Sequence, residues 1–222
     1  MTKVRDAELL PTLTRRPVPP DATRRSRGLV IMLHGGAEHN EDVIGALHRP
    51  WLRSLLMMRQ VLPTMHRSGL DVWLLRYRHV GWNAAGGGQR SPLPDVRWAL
   101  DQARPAYDGA HRPVVLLGHS MGARAAVAVA DDPLVRGVVG LAPWFPPGEP
   151  VGPLRGKRIV AAHGRADRIT SYAATEQFLA RASVIAAHTQ LVDMGDLGHY
   201  MVKELGAWNT VARTHTLEMF LD

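Results

Sequence analysis

No cysteine occurs in the 222 residues, so disulfides, thiolate metal sites and a cysteine nucleophile are excluded together. Lysine is nearly absent as well: of 27 cationic side chains only Lys3, Lys157 and Lys203 are lysines. A surface built for a polyanion gathers its cations, whereas here arginines are scattered through every segment. The densest group, Arg15-Arg16 followed by Arg24-Arg25-Ser26-Arg27, lies in a proline-rich stretch. The net charge of +7 is therefore read as an arginine-rich composition with a solvated arm, which argues against nucleic acid as the partner. The alternative, a nucleic-acid binder acting through the arm, would show salt-sensitive binding lost on removal of residues 1–27. No run is apolar and long enough to span a bilayer, and Met1 to Glu8 has no signal-peptide core, so the expected location is cytoplasmic.

What is present fits an ordinary globular chain, with 45% hydrophobic and 21% charged residues and length enough for one sizeable core. Residues 1–27 form an Arg/Pro-rich arm in which Pro11, Pro17, Pro19 and Pro20 forbid a long helix, leaving room for a short edge strand. Residues 28–222 read as a single domain. Gly28–Leu33 is a continuous apolar run, the mark of a strand covered on both faces. A polar loop over 38–50 follows, then a helical pattern from Trp51 to Met65 with Leu52, Leu55, Leu56, Met58 and Leu62 on one broad face and Pro63 as its end or kink. Strands are expected at 71–77, 114–117, 134–141, 157–162 and 189–193. Helices are expected at 95–103, from Met121 onward, at 172–182 and at 205–221, and a loop with Gly86-Gly87-Gly88 as breakers over 80–94. Strands alternating with helices predict an α/β fold: a three-layer α/β/α sandwich around a mostly parallel sheet.

The chain is organised around Gly118-His119-Ser120-Met121-Gly122, a G-x-S-x-G between the apolar run Val114–Leu117 and an alanine-rich helix. Two glycines let the chain reverse sharply, which lifts Ser120 clear of the sheet in a strained conformation and aims the helix N-terminus at a developing oxyanion. In such sheets the reactive groups sit beyond the carboxyl ends of strands. Asp167 follows one strand end, in His163-Gly164-Arg165-Ala166-Asp167, and His199 follows another, in Gly198-His199-Tyr200. A serine hydroxyl needs a histidine to take its proton, and a buried carboxylate to orient that histidine and stabilise its charged form. Asp193 and Asp196 are rival acids, though Asp196 reads as a turn former. His188 and His215 are rival bases, but one precedes a strand and the other lies within a helix. His34 and His163 are expected to brace loops. His34, Glu38 and His39 lack metal-ligand spacing, so no metal is expected.

From Gly28 to the C-terminus the chain resembles the α/β-hydrolase superfamily. His34-Gly35-Gly36 is similar to that family's oxyanion loop, Gly118 to Gly122 to its nucleophile turn, His163-Gly-x-x-Asp167 to its acid loop and Gly198-His199 to its histidine turn. The resemblance implies Ser120 as nucleophile, His199 as general base and acid, and Asp167 as the orienting carboxylate, in the order Ser, Asp, His. The oxyanion hole would be the N–H of Met121 with that of Gly36, or of Ala37 if the loop is shifted by one. It implies no cofactor, and a small-molecule ester or thioester as substrate. Only about fifteen residues separate the strands ending at Leu141 and starting at Lys157, where relatives often insert a cap, so minimal or no cap is expected. His119, Trp82, Trp144 and Phe145 are the candidate pocket residues. The first reading is a serine hydrolase of small or medium carboxylic esters. A thioesterase or acyltransferase would share the triad, and a non-catalytic binding protein would share only the fold.

Overall fold

A computed structural model describes residues 9–19, 26–83, 91–107 and 112–221. The glycine run at 86–88 and Arg24 and Arg25 of the arm lie outside them. Seven strands form one sheet in the order β1-β3-β2-β4-β5-β6-β7. They are β1 (Thr12–Arg16), β2 (Gly28–Leu33), β3 (Leu70–Arg76), β4 (Val114–His119), β5 (Val135–Leu141), β6 (Arg158–His163) and β7 (His188–Asp193). All neighbours pair in parallel except β1, which runs antiparallel to β3.

The connections are helical: α1 (Arg49–Arg67), α2 (Pro92–Tyr107), α3 (Met121–Ala128), α4 (Tyr172–Ala182) and α5 (Leu205–Glu218). Because side chains alternate across a strand, the central strands feed two separate cores. Leu29, Ile31, Leu33, Val114 and Leu116 join α2, α3 and α4 on one face. Val30, Met32, Val115 and Leu117 join α1 and α5 on the other. Burial on both faces explains why β2 and the Val114–Leu117 stretch of β4 are continuously apolar rather than alternating.

Two expectations about α1 are corrected. The helix runs on to Arg67 through Pro63. Proline breaks a helix by removing an N–H and crowding the carbonyl four residues back; Pro63 and Arg59 are both exposed, so that carbonyl is left on the solvent side. The inward stripe is Ser54, Met57, Met58, Val61 and Met65, and Leu56, expected on the apolar face, points outward. The α2 helix also begins earlier than expected, at Pro92.

The edge strand allowed for in the arm is β1, with Thr12 opposite Arg76 and Arg16 opposite Val72. Beyond it, the Val18 N–H donates to Asp71 Oδ1 at 2.7 Å, and Tyr107 Oη donates to Asp71 Oδ2. The Arg15 guanidinium lies 4.6 Å from the Trp73 ring centroid. Between β5 and β6 the chain forms only a loop and one 3-10 turn, Gly152–Leu154, so nothing there covers the sheet end as a helical lid. Among the described residues no helix is long and apolar enough to cross a membrane.

Candidate active site

The apolar run of β4 delivers the chain to Ser120 at the carboxyl edge of the sheet, where α3 begins one residue later. Ser120 has φ 53° and ψ −118°, a conformation that L-residues adopt only when their surroundings impose it. The neighbouring glycines are part of that imposition. A Cβ on Gly122 would lie 2.2 Å from the Leu33 carbonyl oxygen, and one on Gly118 would lie 2.4 Å from the Ala123 nitrogen. The Ser120 N–H is held by the Leu141 carbonyl at 3.0 Å, which ties the turn to β5.

The loops after β6 and β7 bring Asp167 and His199 to the same edge. His199 Nδ1 donates to Asp167 Oδ2 at 2.8 Å. That oxygen also accepts from His163 Nε2 at 3.1 Å and from Thr170 Oγ1 at 2.9 Å. The other oxygen, Oδ1, accepts the N–H groups of Ile169 at 2.8 Å and Thr170 at 2.9 Å. Burial alone would push the Asp167 carboxyl up. The hydrogen bonds from His163, His199 and the two N–H groups outweigh it and leave the group well below the usual carboxylate range. Asp167 therefore stays ionised, and the proton of His199 is kept on Nδ1, which leaves Nε2 as the basic nitrogen. His163 is braced from behind, since its Nδ1 accepts from Thr175 Oγ1 at 2.9 Å.

Of the rival acids and bases, Asp193 and His215 are engaged elsewhere. Asp193 pairs with Arg165 at 2.8 Å, and His215 with Glu218 at 2.7 Å. His34 is buried, donates from Nδ1 to the Gly35 carbonyl at 2.6 Å and accepts the Tyr77 N–H at Nε2. Burial lowers its pKa to about 3, so it is a neutral brace for the loop after β2.

That loop brings Gly36 against Met121: a Cβ on Gly36 would lie 2.5 Å from Met121 Cε. The Ala37 N–H is spent on the Val80 carbonyl at 3.1 Å. The N–H groups of Gly36 and Met121 have no partner among the described residues, and that of Met121, opening α3, has none to expect within the helix.

A cleft of about 480 Å³ opens over Ser120. Its buried members are Gly35, His119, Ser120 and His199, with half-buried Gly36 beside them. Arg49, Pro50 and Arg53 from the start of α1 and Tyr200 and Val202 from the loop after β7 complete it. Of the four pocket residues expected from sequence, His119 lines this cleft; its Nε2 donates to the His199 carbonyl at 3.1 Å, and burial chiefly lowers its pKa to about 3. Trp82, Trp144 and Phe145 are not among the lining residues. Trp82 and Trp144 hold the Arg124 guanidinium at 3.9 and 4.4 Å from their ring centroids, and Arg124 is paired with Glu149 at 2.8 Å. Phe145 stacks on Phe178 in the core. Thr170 and the two α1 arginines belong to none of the sequence motifs. Thr170 sits three residues after Asp167, the spacing of a side chain returning to its own loop, and Arg49 and Arg53 are four apart, the spacing of one helix face.

The sequence profile of the Alpha/beta hydrolase family matches residues 30–217. No curated protein matches the chain in sequence. Among solved structures it is similar to an alpha-beta serine hydrolase homologue from Coxiella burnetii, at 15% identity and a TM-score of 0.68 over 92% of this chain and 91% of that one. It is also similar to the a/b serine hydrolase without lid XC6422 from Xanthomonas campestris, at 17% identity and a TM-score of 0.65 over 95% and 89%. A third likeness is the butyrate-bound thermophilic esterase Est2 from Thermogutta terrifontis, at 13% identity and a TM-score of 0.68 over 95% and 88%.

Proposed function

The chain belongs to the alpha/beta hydrolase family, and from that premise we propose that it cleaves small or medium carboxylic esters through an acyl-enzyme on Ser120. The observation that carries the reading is the ionised, fivefold hydrogen-bonded Asp167 bonded to His199 Nδ1, with His199 and Ser120 in one cleft. Ser120 Oγ attacks the acyl carbon while its proton passes to His199 Nε2. The tetrahedral oxyanion is received by the N–H groups of Met121 and Gly36. His199 returns the proton to the departing alkoxide, and the alcohol leaves. A water then gives its proton to Nε2 and attacks the acyl carbon. When the intermediate collapses, that proton returns to Ser120 Oγ and the carboxylic acid is released. Asp167 takes no proton; it fixes the tautomer and stabilises the imidazolium. The cleft volume falls within the range of small-molecule sites, and no cofactor enters the scheme.

The test is hydrolysis of p-nitrophenyl esters from acetate to octanoate, with Ser120→Ala as the blank and a fluorophosphonate probe alongside. Turnover in the wild type that vanishes in Ser120→Ala, with the probe on Ser120, is the expected result. Labelling without turnover would redirect the reading to acyl transfer. Neither labelling nor turnover would sink it in favour of a binding protein.

A further inference from the structure

We infer that the cleft over Ser120 receives an ester carrying a second, anionic group, a carboxylate or phosphate, held by Arg53 with Arg49 beside it. The inference rests on the serine-hydrolase reading and names the substrate class for that site.

Both arginines line the cleft with Ser120 and His199. Arg53 is half-buried, and its Nη1 is fully buried without a hydrogen-bond partner. Its visible neighbour is the Tyr200 ring, 5.5 Å from the guanidinium carbon, which packs the group without accepting its N–H protons. Burial lowers the pKa of Arg53, partly opposed by Tyr200; the guanidinium nonetheless stays charged at any working pH. No residue lining the cleft is acidic, and the first turn of α1 holds no acidic side chain. Three other half-buried arginines are matched by carboxylates: Arg78 is paired with Asp95, Arg104 with Asp132 and Arg124 with Glu149. Among the described residues Arg49 and Arg53 form no ion pair.

A guanidinium with a desolvated, unmatched N–H is a cost to the folded chain. An incoming oxyanion offsets the buried charge by taking charge-assisted and, for a planar carboxylate, two-pronged hydrogen bonds from the guanidinium N–H donors that face the cleft. A neutral ester of the same length leaves the charge unmatched, so the cleft discriminates between the two.

The experiment compares kcat/KM for monoethyl adipate, ethyl 4-phosphonobutyrate and neutral ethyl hexanoate by pH-stat at low ionic strength, in the wild type and in Arg53→Gln, Arg53→Lys and Arg49→Gln. An anionic ester should exceed the neutral one by about tenfold or more. That ratio should fall to near one in Arg53→Gln, partly in Arg49→Gln, and recover in part in Arg53→Lys. Whichever of adipate or phosphonate leads identifies the anion. A second arm needs no turnover: adipate should slow fluorophosphonate labelling of Ser120 in the wild type and not in Arg53→Gln. Ser120-dependent turnover of ethyl hexanoate with no anionic preference, or a preference and protection untouched by Arg53→Gln, overturns the anion site and leaves the serine hydrolase standing. Absence of both turnover and labelling overturns both.

Discussion

Asp167 is where the chemistry is most concentrated, because five donors converge on one carboxylate. Asp167→Asn keeps the volume but lets an amide face His199 Nδ1, which favours the wrong tautomer; kcat should fall on the order of 10³-fold to 10⁴-fold with KM little changed. The same change alters acid stability. The folded pKa of Asp167 is depressed, so its stabilisation is complete above the unfolded value of about 4 and is lost as pH falls through the folded one. Urea melts between pH 5 and 2.5 should therefore show a shallower fall for Asp167→Asn than for the wild type. Thr170→Val removes one neutral donor and should cost about 1 kcal/mol, with a smaller drop in kcat. The residue types, order and strand-end positions of Ser120, Asp167 and His199 are legible in the sequence, because each sits in a short motif with its own backbone requirement. Thr170 is not, since its hydroxyl finds Asp167 only when the loop closes on itself.

Elements were legible where their faces are uniform and less so where one face is shared. Strand β2 and the Val114–Leu117 stretch of β4 announce themselves as unbroken apolar runs. Helix α1 does not: with leucines and methionines all round, its inward stripe is decided by what α5 and the sheet offer. The consequence is testable by a pair of substitutions. Met58→Ala, fully buried, should lower the unfolding free energy by about 2–4 kcal/mol. Leu56→Lys should change it by no more than about 0.5 kcal/mol. The arm likewise carries more structure than its composition suggests, because β1 covers the outer edge of β3. Removing residues 1–19 bares that edge and leaves Asp71 without the Val18 N–H. The truncated chain should melt earlier and scatter light on warming, as unprotected strand edges do; unchanged melting and clear solutions would refute a covering role for β1.

For the whole molecule, acid tolerance should be set by two histidines buried neutral, His34 and His119, each held near pKa 3. Unfolded, each takes a proton near its ordinary value of 6.5, so the unfolded chain binds more protons and stability falls as pH drops below it. Between pH 6 and 5 the two should together cost on the order of 2–3 kcal/mol per pH unit, and His119→Asn should roughly halve that slope. The topology also sets a schedule. The serine's strand β4 and its two sheet neighbours, β2 and β5, are complete by Leu141, whereas Asp167 and His199 come later in the chain. On a ribosome adding about 5–20 residues per second, Ser120 is made several seconds before His199. On the proposed mechanism a nascent chain thus holds an unactivated hydroxyl, and catalysis would begin only once the last third of the polypeptide has joined the sheet.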